Sequence, residues 1–409
     1  MLPKIRLLTL ASGTGAAAGS VAALFIASLN FVTQIFVSNK YFLFGLPLAG
    51  FLIGWSYTRF GQGVHRGLSL IMEEIHESSR RIPLRLTPMI FVGTLLTHIV
   101  GGSAGREGAV LQMGGGLADA LGRIFRVSIT ERKSLLIAGM AAGFGTAVGA
   151  PWAGVVFGLE VLTVGRLHFF AALECLIAVL TGSIVFSIWG VQHTNYFVPQ
   201  IPLLNRFVVE GSANAGLSLD IYSLGQFISA LFIAALAFGL CARFFVWLIH
   251  GLEKRVHRWI VNPRYRPMFG GVALLVLFSV EGSFRYCGLG LEVIQDSLKH
   301  TASFVDPILK FIFTSITLTF GFKGGEFIPL VFIGSTLGSA LGPILHLDSG
   351  FLAALGFAAT FGAAANVPIA CTVMAIELFG APITPFAALV GYVSYLCSGS
   401  AGIYKEQDS

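Results

Sequence analysis

Two glutamates stand among glycines at the head of apolar runs in a chain where only 11% of residues are charged: Glu107 in GGSAGREGAV, directly after MIFVGTLLTHIV, and Glu326 in GGEFIPL. A carboxylate there can hold a proton, repel an anion or stand in an anion's place, so proton and anion chemistry is what these positions offer. Arg106 is the nearest counter-charge. Successive helical residues point about 100° apart, so the expectation is that Arg106 does not hold Glu107. A second chemistry is formally present. GGSAG at 101–105 satisfies G-x-S-x-G with His98 close by, which at a strand-to-helix turn would make Ser103 a hydrolase nucleophile. No aspartate follows at a telling distance and the surroundings are apolar, so the chain is expected not to be an enzyme. Five cysteines form no CxxC pair, and nine histidines form no HxxxH or HExxH. No Walker or Rossmann glycine pattern stands at a strand-to-helix junction, so neither metal nor cofactor is expected.

The elements that must position these residues are membrane helices. With 55% hydrophobic residues and a mean hydropathy of +0.81, the 409-residue chain has too little charge to cover a soluble globule. Apolar segments such as FLFGLPLAGFLIGW and FAALVGYVSYLCSG recur along its whole length, so 1–409 reads as one transmembrane domain. The apolar opening is too long for a cleaved signal and reads as a retained first helix. Lys and Arg gather in RFGQGVHRGLSLIMEEIHESSRRIPLRL, GRIFRVSITERK and GLEKRVHRWIVNPRYRP, whereas GVQHTNYFVPQIPLLNRFVVEGSANAGL holds only Arg206 and Glu210. The positive-inside rule assigns the first three to the cytoplasm and the last to the outside. The net charge of +6 therefore reads as topology, with no nucleic-acid partner.

The chain also repeats itself. AAGFGTAVGAPWAGVVFGLEV from Ala141 and AATFGAAANVPIACTVMAIEL from Ala358 share nine identities in twenty-one columns, including Pro151/Pro368 and Glu160/Glu377. Glu107 precedes Pro151 by 44 residues and Glu326 precedes Pro368 by 42. The reading is a tandem of two halves, 1–212 and 213–409. Short segments broken by Gly or Pro at matching places point to a midplane site where half-helix N-termini meet, and their free N–H groups suit an anion. The glycines of GGGLADALG and GSTLGSALG read as close helix packing.

GSAGREGAVLQMG, GGEFIPL and the terminal SGSAGIYKEQ together resemble the CLC family of anion channels and anion/proton antiporters. The resemblance implies an all-α polytopic membrane protein of two inverted, antiparallel repeats with many short, tilted or broken helices. It also implies a homodimer with one pore per subunit and no cytoplasmic nucleotide-sensing domain. It makes Glu107 the gating, proton-coupling glutamate, gives Phe327 and Ile328 the backbone N–H groups that face the central anion, and puts Tyr404 on that ion. The remaining anion segment usually reads GSGIP. Its counterpart here is GLSLI, with Leu68 at the serine position and Ser69 beside it, or alternatively GQGVH with Gln62 there. The internal glutamate of the chloride/proton antiporters is Val161 here, and Glu326 stands where chloride-type members have an apolar residue. These departures resemble the bacterial fluoride-exporting branch, although that branch typically has Thr at Ile328 and Asn or Met at Leu68. The implied function is fluoride/proton antiport in a bacterial plasma membrane, with Glu326 tuning coupling or selectivity. Chloride/proton exchange or a chloride channel is the alternative, and Lys323 and Arg106 would draw anions to the mouths.

Overall fold

The computed structural model describes residues 2–64, 66–78, 81–202, 208–210, 217–219 and 221–407. Sixteen α-helices stand among the described residues. The first eight are α1 (Leu2–Ser38), α2 (Leu46–Phe60), α3 (Leu68–His76), α4 (Leu86–Ile99), α5 (Glu107–Ile124), α6 (Ile129–Val148), α7 (Pro151–Glu160) and α8 (Ala172–Ile188). The second eight are α9 (Ile221–Trp259), α10 (Arg266–Glu281), α11 (Leu291–Ser297), α12 (Val305–Thr319), α13 (Phe327–Leu345), α14 (Ser349–Ala365), α15 (Pro368–Phe379) and α16 (Thr384–Ser398). The connection between the halves contains one antiparallel pair, β1 (Val208–Glu210) with β2 (Leu217–Leu219), a local departure from the all-α expectation. The expected junction at 212/213 lies outside the described residues.

Six helical segments are long and apolar enough to cross a membrane, and the first of them lies in α1. Others stop part-way, for reasons written in the sequence. Proline at the first position starts α7 and α15, where its missing N–H costs nothing. Gly149 and Asn366, both left-handed, end α6 and α14 immediately before them. Ser128 caps α6: its hydroxyl accepts from the Glu131 N–H at 3.3 Å, while the Glu131 carboxylate accepts from the Ser128 N–H at 2.8 Å and hydroxyl at 2.9 Å. The Ser128 N–H, then its hydroxyl, hold the Glu131 carboxyl below its usual range. This cap therefore contributes above the unfolded glutamate pKa of about 4.3 and fades as pH falls through the lower folded value.

α6 from Ser134 and α14 from Gly350 are buried on every side, sheathed by the other helices. Each packs backbone to backbone on the preceding long helix. A Cβ on Gly114 of α5 would come 2.2 Å from the Gly139 carbonyl oxygen of α6, and one on Gly334 of α13 would come 2.0 Å from that of Gly356 in α14. These glycines are helix-packing residues, as their spacing suggests.

Two reciprocal contacts relate the halves. Glu160, at the end of α7, accepts from the N–H groups of Ile369 (3.0 Å) and Ala370 (2.7 Å) at the start of α15. Glu377 of α15 accepts from Trp152 (3.0 Å) and Ala153 (2.8 Å) at the start of α7. The second contact is the backbone pair between Gly105 and Gly325, N–H to carbonyl in both directions at 2.7 and 2.9 Å. Each contact has the symmetry of a two-fold axis between antiparallel halves. Helix counting alone would have missed this inversion: eight helices precede the connection and eight follow it, and helices of 7–12 residues such as α11, α7 and α15 do not each reverse the chain across the membrane.

The three basic segments meet at one end of this integral membrane protein. The Arg123 guanidinium donates to the Ile82 carbonyl at 2.8 Å and Lys133 to the His76 carbonyl at 2.8 Å, while Gln62 and Arg66 of the first segment line one space with Glu253, His257 and Arg266 of the third. By the positive-inside rule this is the cytoplasmic end.

The reciprocal caps are separable by substitution. Glu160 is 2% exposed. Glu160→Ala strips the Ile369 and Ala370 N–H groups of their acceptor, and is expected to cost about 1–3 kcal/mol. Glu377, unlike Glu160, is only partly buried, so Glu377→Ala, which frees the Trp152 and Ala153 N–H groups, should cost less. Thermal midpoints of the detergent-solubilised proteins measure both, and equal midpoints for the two variants and the wild type would deny the caps a role.

Candidate functional site

Three helices begin close together at the centre of the molecule: α3 at Leu68, α5 at Glu107 and α13 at Phe327. The Gly105–Gly325 pair ties the loops leading into α5 and α13. Gly67 has φ +57°, and a Cβ there would come 2.9 Å from Gln112 Oε1 of α5, so only glycine lets α3 start against that helix. At its other end α3 is fixed by charge. Arg132 of α6 bonds Glu74 of α3 at 3.0 Å and Asp119 of α5 at 2.6 Å, and Asp119 also accepts from the Ile82 N–H at 3.1 Å.

The backbone pair sets the register between the halves and corrects the matching of the glutamates. With Gly105 opposite Gly325, Glu326 corresponds to Arg106, each being the N-cap of its helix, and Phe327 corresponds to Glu107. Spacing to the prolines could not reveal this, because the two halves differ in length between these points.

A second correction concerns Arg106. It does hold Glu107: Arg106 Nε lies 3.1 Å from Glu107 Oε1, and the Arg106 backbone N–H donates to Oε2 at 3.2 Å. Arg106 precedes the helix with φ −117°, so the rule for successive helical residues does not govern it. Arg106 Nη2 continues to Thr194 Oγ1 at 3.3 Å, in the segment assigned to the outside. Both charged residues are buried, at 4% and 1% exposure.

A cavity of about 190 Å³ reaches these loops from the cytoplasmic end. Leu68, Ser69, Glu326 and Tyr404 line it together, as do Gly108 and Gly324, while Glu107, Phe327 and Ile328 are not on its wall. Glu326 nevertheless approaches α5, since a Cβ on Gly108 would come 3.8 Å from Glu326 Oε2. The cavity shares Tyr57, Ser69, Lys323 and Glu406 with a wider vestibule of about 800 Å³, which is where Gln62 lies. Lys323 sits over the Tyr57 ring at 4.1 Å, a cation held at the passage between the two spaces.

Aromatic rings surround the site. Phe327 presents its ring at an edge angle to Phe361 at 4.6 Å and to Phe144 at 5.5 Å; Phe144 stacks on Phe157 at 4.2 Å, and Phe157 meets Tyr404 at 6.5 Å. Gln112, Tyr57 and Glu406 also line the cavity and were not singled out by sequence. Gln112 had a readable signal, as a lone amide one turn into a helix of small and apolar residues. Ser103 is fully buried, its hydroxyl paired with Thr314 at 3.0 Å and its N–H donated to Thr317 at 3.2 Å. That is a loop-fixing role.

The sequence pattern of the family described as Voltage gated chloride channel matches residues 49–399. A chloride/fluoride channel protein of Pseudomonas syringae pv. tomato is 40% identical over 414 aligned positions, covering 100% of this chain and 87% of its own. The crystal structure of a CLC-type fluoride/proton antiporter superposes with a TM-score of 0.91 at 32% identity, covering 100% of this chain and 99% of that one. A slow cyanobacterial Cl-/H+ antiporter shares the fold at a TM-score of 0.79 and 20% identity, with 98% and 96% of the two chains covered.

The buried pair yields a stability test. Arg106→Ala leaves the Glu107 carboxylate buried without its guanidinium and is expected to cost about 3–5 kcal/mol. Glu107→Gln keeps an oxygen for Arg106 Nε and should cost less. Thermal unfolding followed by size-exclusion chromatography ranks the two, and the reverse ranking would show that the pair is not what holds the loop.

Proposed function

The chain belongs to the voltage-gated chloride channel family and carries anions across a membrane, and from that premise we propose that it exchanges fluoride for protons, with Glu107 as the gate. The observation that carries this reading is the second carboxylate: Glu326 lies on the cavity wall and against the first turn of α5, whose first residue is Glu107. Two carboxylates flanking one anion path give protons and anions overlapping places to occupy, the requirement for coupling their movements. The full-length similarity to a fluoride/proton antiporter supports the same ion.

In the proposed cycle an anion enters from the vestibule past Lys323 and is met by the N–H groups at the starts of α3 and α13, those of Phe327 and Ile328 included. Leu68 offers no hydroxyl, so Ser69 and Tyr404 supply the hydrogen bonds that replace lost water, and the Phe327 ring edge adds a weak positive field. Glu107, when ionised, competes with the anion for its place. When it takes a proton it loses its charge and withdraws, and the proton leaves on the opposite side from the anion. The halves 1–212 and 213–409 are proposed as the repeats that enclose this path, and a homodimer in the bacterial plasma membrane as the working assembly. A passive channel is the second reading, favoured by the chloride/fluoride channel protein that is 40% identical.

Proteoliposomes loaded with fluoride or chloride separate the readings. Fluoride efflux well above chloride efflux, with protons driven inward by the fluoride gradient, is expected, and anion efflux that moves no protons would make the protein a channel. In Glu107→Gln the proton flux should vanish, and anion flux should either stop or persist without pH dependence. A folded variant with full anion-driven proton transport would remove Glu107 from the gate.

Glu326→Gln keeps the shape of the cavity wall and removes its charge. It should lower the number of protons moved per anion or the preference for fluoride over chloride. Unchanged turnover, coupling and selectivity would leave Glu326 a structural cap of α13.

A further inference from the structure

The residues after α16 form a strap across the inner ends of two helices. The Ile403 N–H donates to the Ala364 carbonyl at 2.8 Å, and Gln407 Nε2 donates to the carbonyls of Val161 (3.0 Å) and Ala365 (2.8 Å). Asn366 Nδ2 in turn donates to Gln407 Oε1 at 3.0 Å. Residues 403–407 are thereby pinned to the ends of α7 and α14, one helix from each half. Between the pinned points, Tyr404 faces the cavity and Glu406 lines both the cavity and the vestibule.

Glu406 differs from the other acidic groups at this mouth. Glu253 is bonded to Lys405 at 2.5 Å and Glu73 to Arg66 Nη1 at 2.5 Å. Among the described residues Glu406 Oε1 has only Arg66 Nη2 at 3.8 Å, beyond hydrogen-bond length, and its Oε2 is shut off from solvent with no donor in reach. A hidden carboxylate oxygen without a partner calls for an explanation, and a transferable proton is one. Its surroundings suit that use. Lys323 and Glu326 share the cavity with it, so a proton released there meets a carboxylate deeper in the same space.

We propose that Glu406 is the carboxylate through which protons pass between the cytoplasmic vestibule and the anion cavity. The proposal rests on the antiport reading. In the inward-to-outward sense, a vestibule hydronium ion gives its proton to the Glu406 carboxylate and becomes water. The acid then loses that proton to water in the cavity and, through it, to the Glu326 carboxylate, which restores Glu406 as the anion. Each transfer breaks one O–H bond and makes one. Gln407 holds Glu406 in place through bonds that do not change during the cycle.

The test compares wild type, Glu406→Gln and Glu406→Asp in proteoliposomes, following fluoride efflux and fluoride-driven proton flux together. Glu406→Gln, which preserves size and removes the exchangeable proton, should retain fluoride efflux while proton flux falls about tenfold or more. Glu406→Asp, which keeps a carboxylate, should restore most of the proton flux even if its folded yield is lower. Wild-type proton flux in Glu406→Gln overturns the proposal, as does an equal loss of both fluxes in both variants, which would make Glu406 only a fastening of the strap. A wild type that moves fluoride without protons overturns the antiport reading and this proposal with it, an outcome visible before any variant is made.

Discussion

A helix that stops inside a membrane leaves backbone N–H groups that hydrocarbon cannot satisfy, and this protein is organised around that constraint. α7 and α15 stop and start in the interior, and each has its first N–H groups taken by a glutamate of the other. The loops entering α5 and α13 satisfy one another through Gly105 and Gly325. The starts of α3, α5 and α13 border a cavity of about 190 Å³ with polar walls. Irregular backbone at membrane depth is tolerated where it lines such a space, and the positive ends of helices make that space suitable for an anion. On the proposed reading, architecture and anion binding share one cause: the scaffold's own carboxylates serve some helix starts, and the transported ion is left to serve the others.

Symmetry builds the site and asymmetry gives it direction. The backbone pair and the paired glutamate caps treat the halves alike. The residues next to the pair do not: Arg106 in one half stands where Glu326 stands in the other, and Glu107 where Phe327 stands. One loop therefore ends in a self-paired cation and carboxylate facing Thr194 on the outer side, and the other in a carboxylate on the wall of the inner cavity. The strap at 403–407 adds a second asymmetry: Tyr404 and Glu406 line the inner cavity, whereas the described residues after α8 place Thr194 on Arg106 and His193 against Gly149 at the end of α6. A path whose two ends meet different titratable groups can bind protons differently from each side.

Much of this was legible in the residues. The repeat showed in Pro151/Pro368 and Glu160/Glu377 because proline starts and capping glutamates are demanded by backbone chemistry, which keeps them at fixed offsets. Glu107, Glu326 and the glycines of GGGLADALG showed for the same reason: charge and small size are conspicuous in an apolar chain. The register between the loops that carry them did not show, since it is set by a hydrogen-bonded pair of glycines whose partners lie far apart in sequence. The Arg106–Glu107 contact escapes the rule for successive helical residues because Arg106 stands just outside the helix. Glu406 went unremarked in a polar terminal stretch, where a carboxylate is ordinary; only the strap and its pinned ends reveal that one of its oxygens is hidden.

The Arg106–Glu107 pair also bears on why movement of the gate and movement of the anion would be joined. Arg106 is buried, and its remaining partner is Thr194, which carries no charge. If Glu107 left it alone, a buried guanidinium would stand unpaired, at a cost of several kcal/mol. On the proposed reading, two events can offset that cost. Protonation of Glu107 removes the charge-assisted share of the bond before the side chain departs, and the transported anion takes the vacated place beside the guanidinium. Either way, the carboxylate is released only when a proton or an anion is present to replace what is lost. On that reading the contact that stabilises the loop also penalises opening without a ligand, and Arg106 acts against a leak while remaining outside the inner cavity.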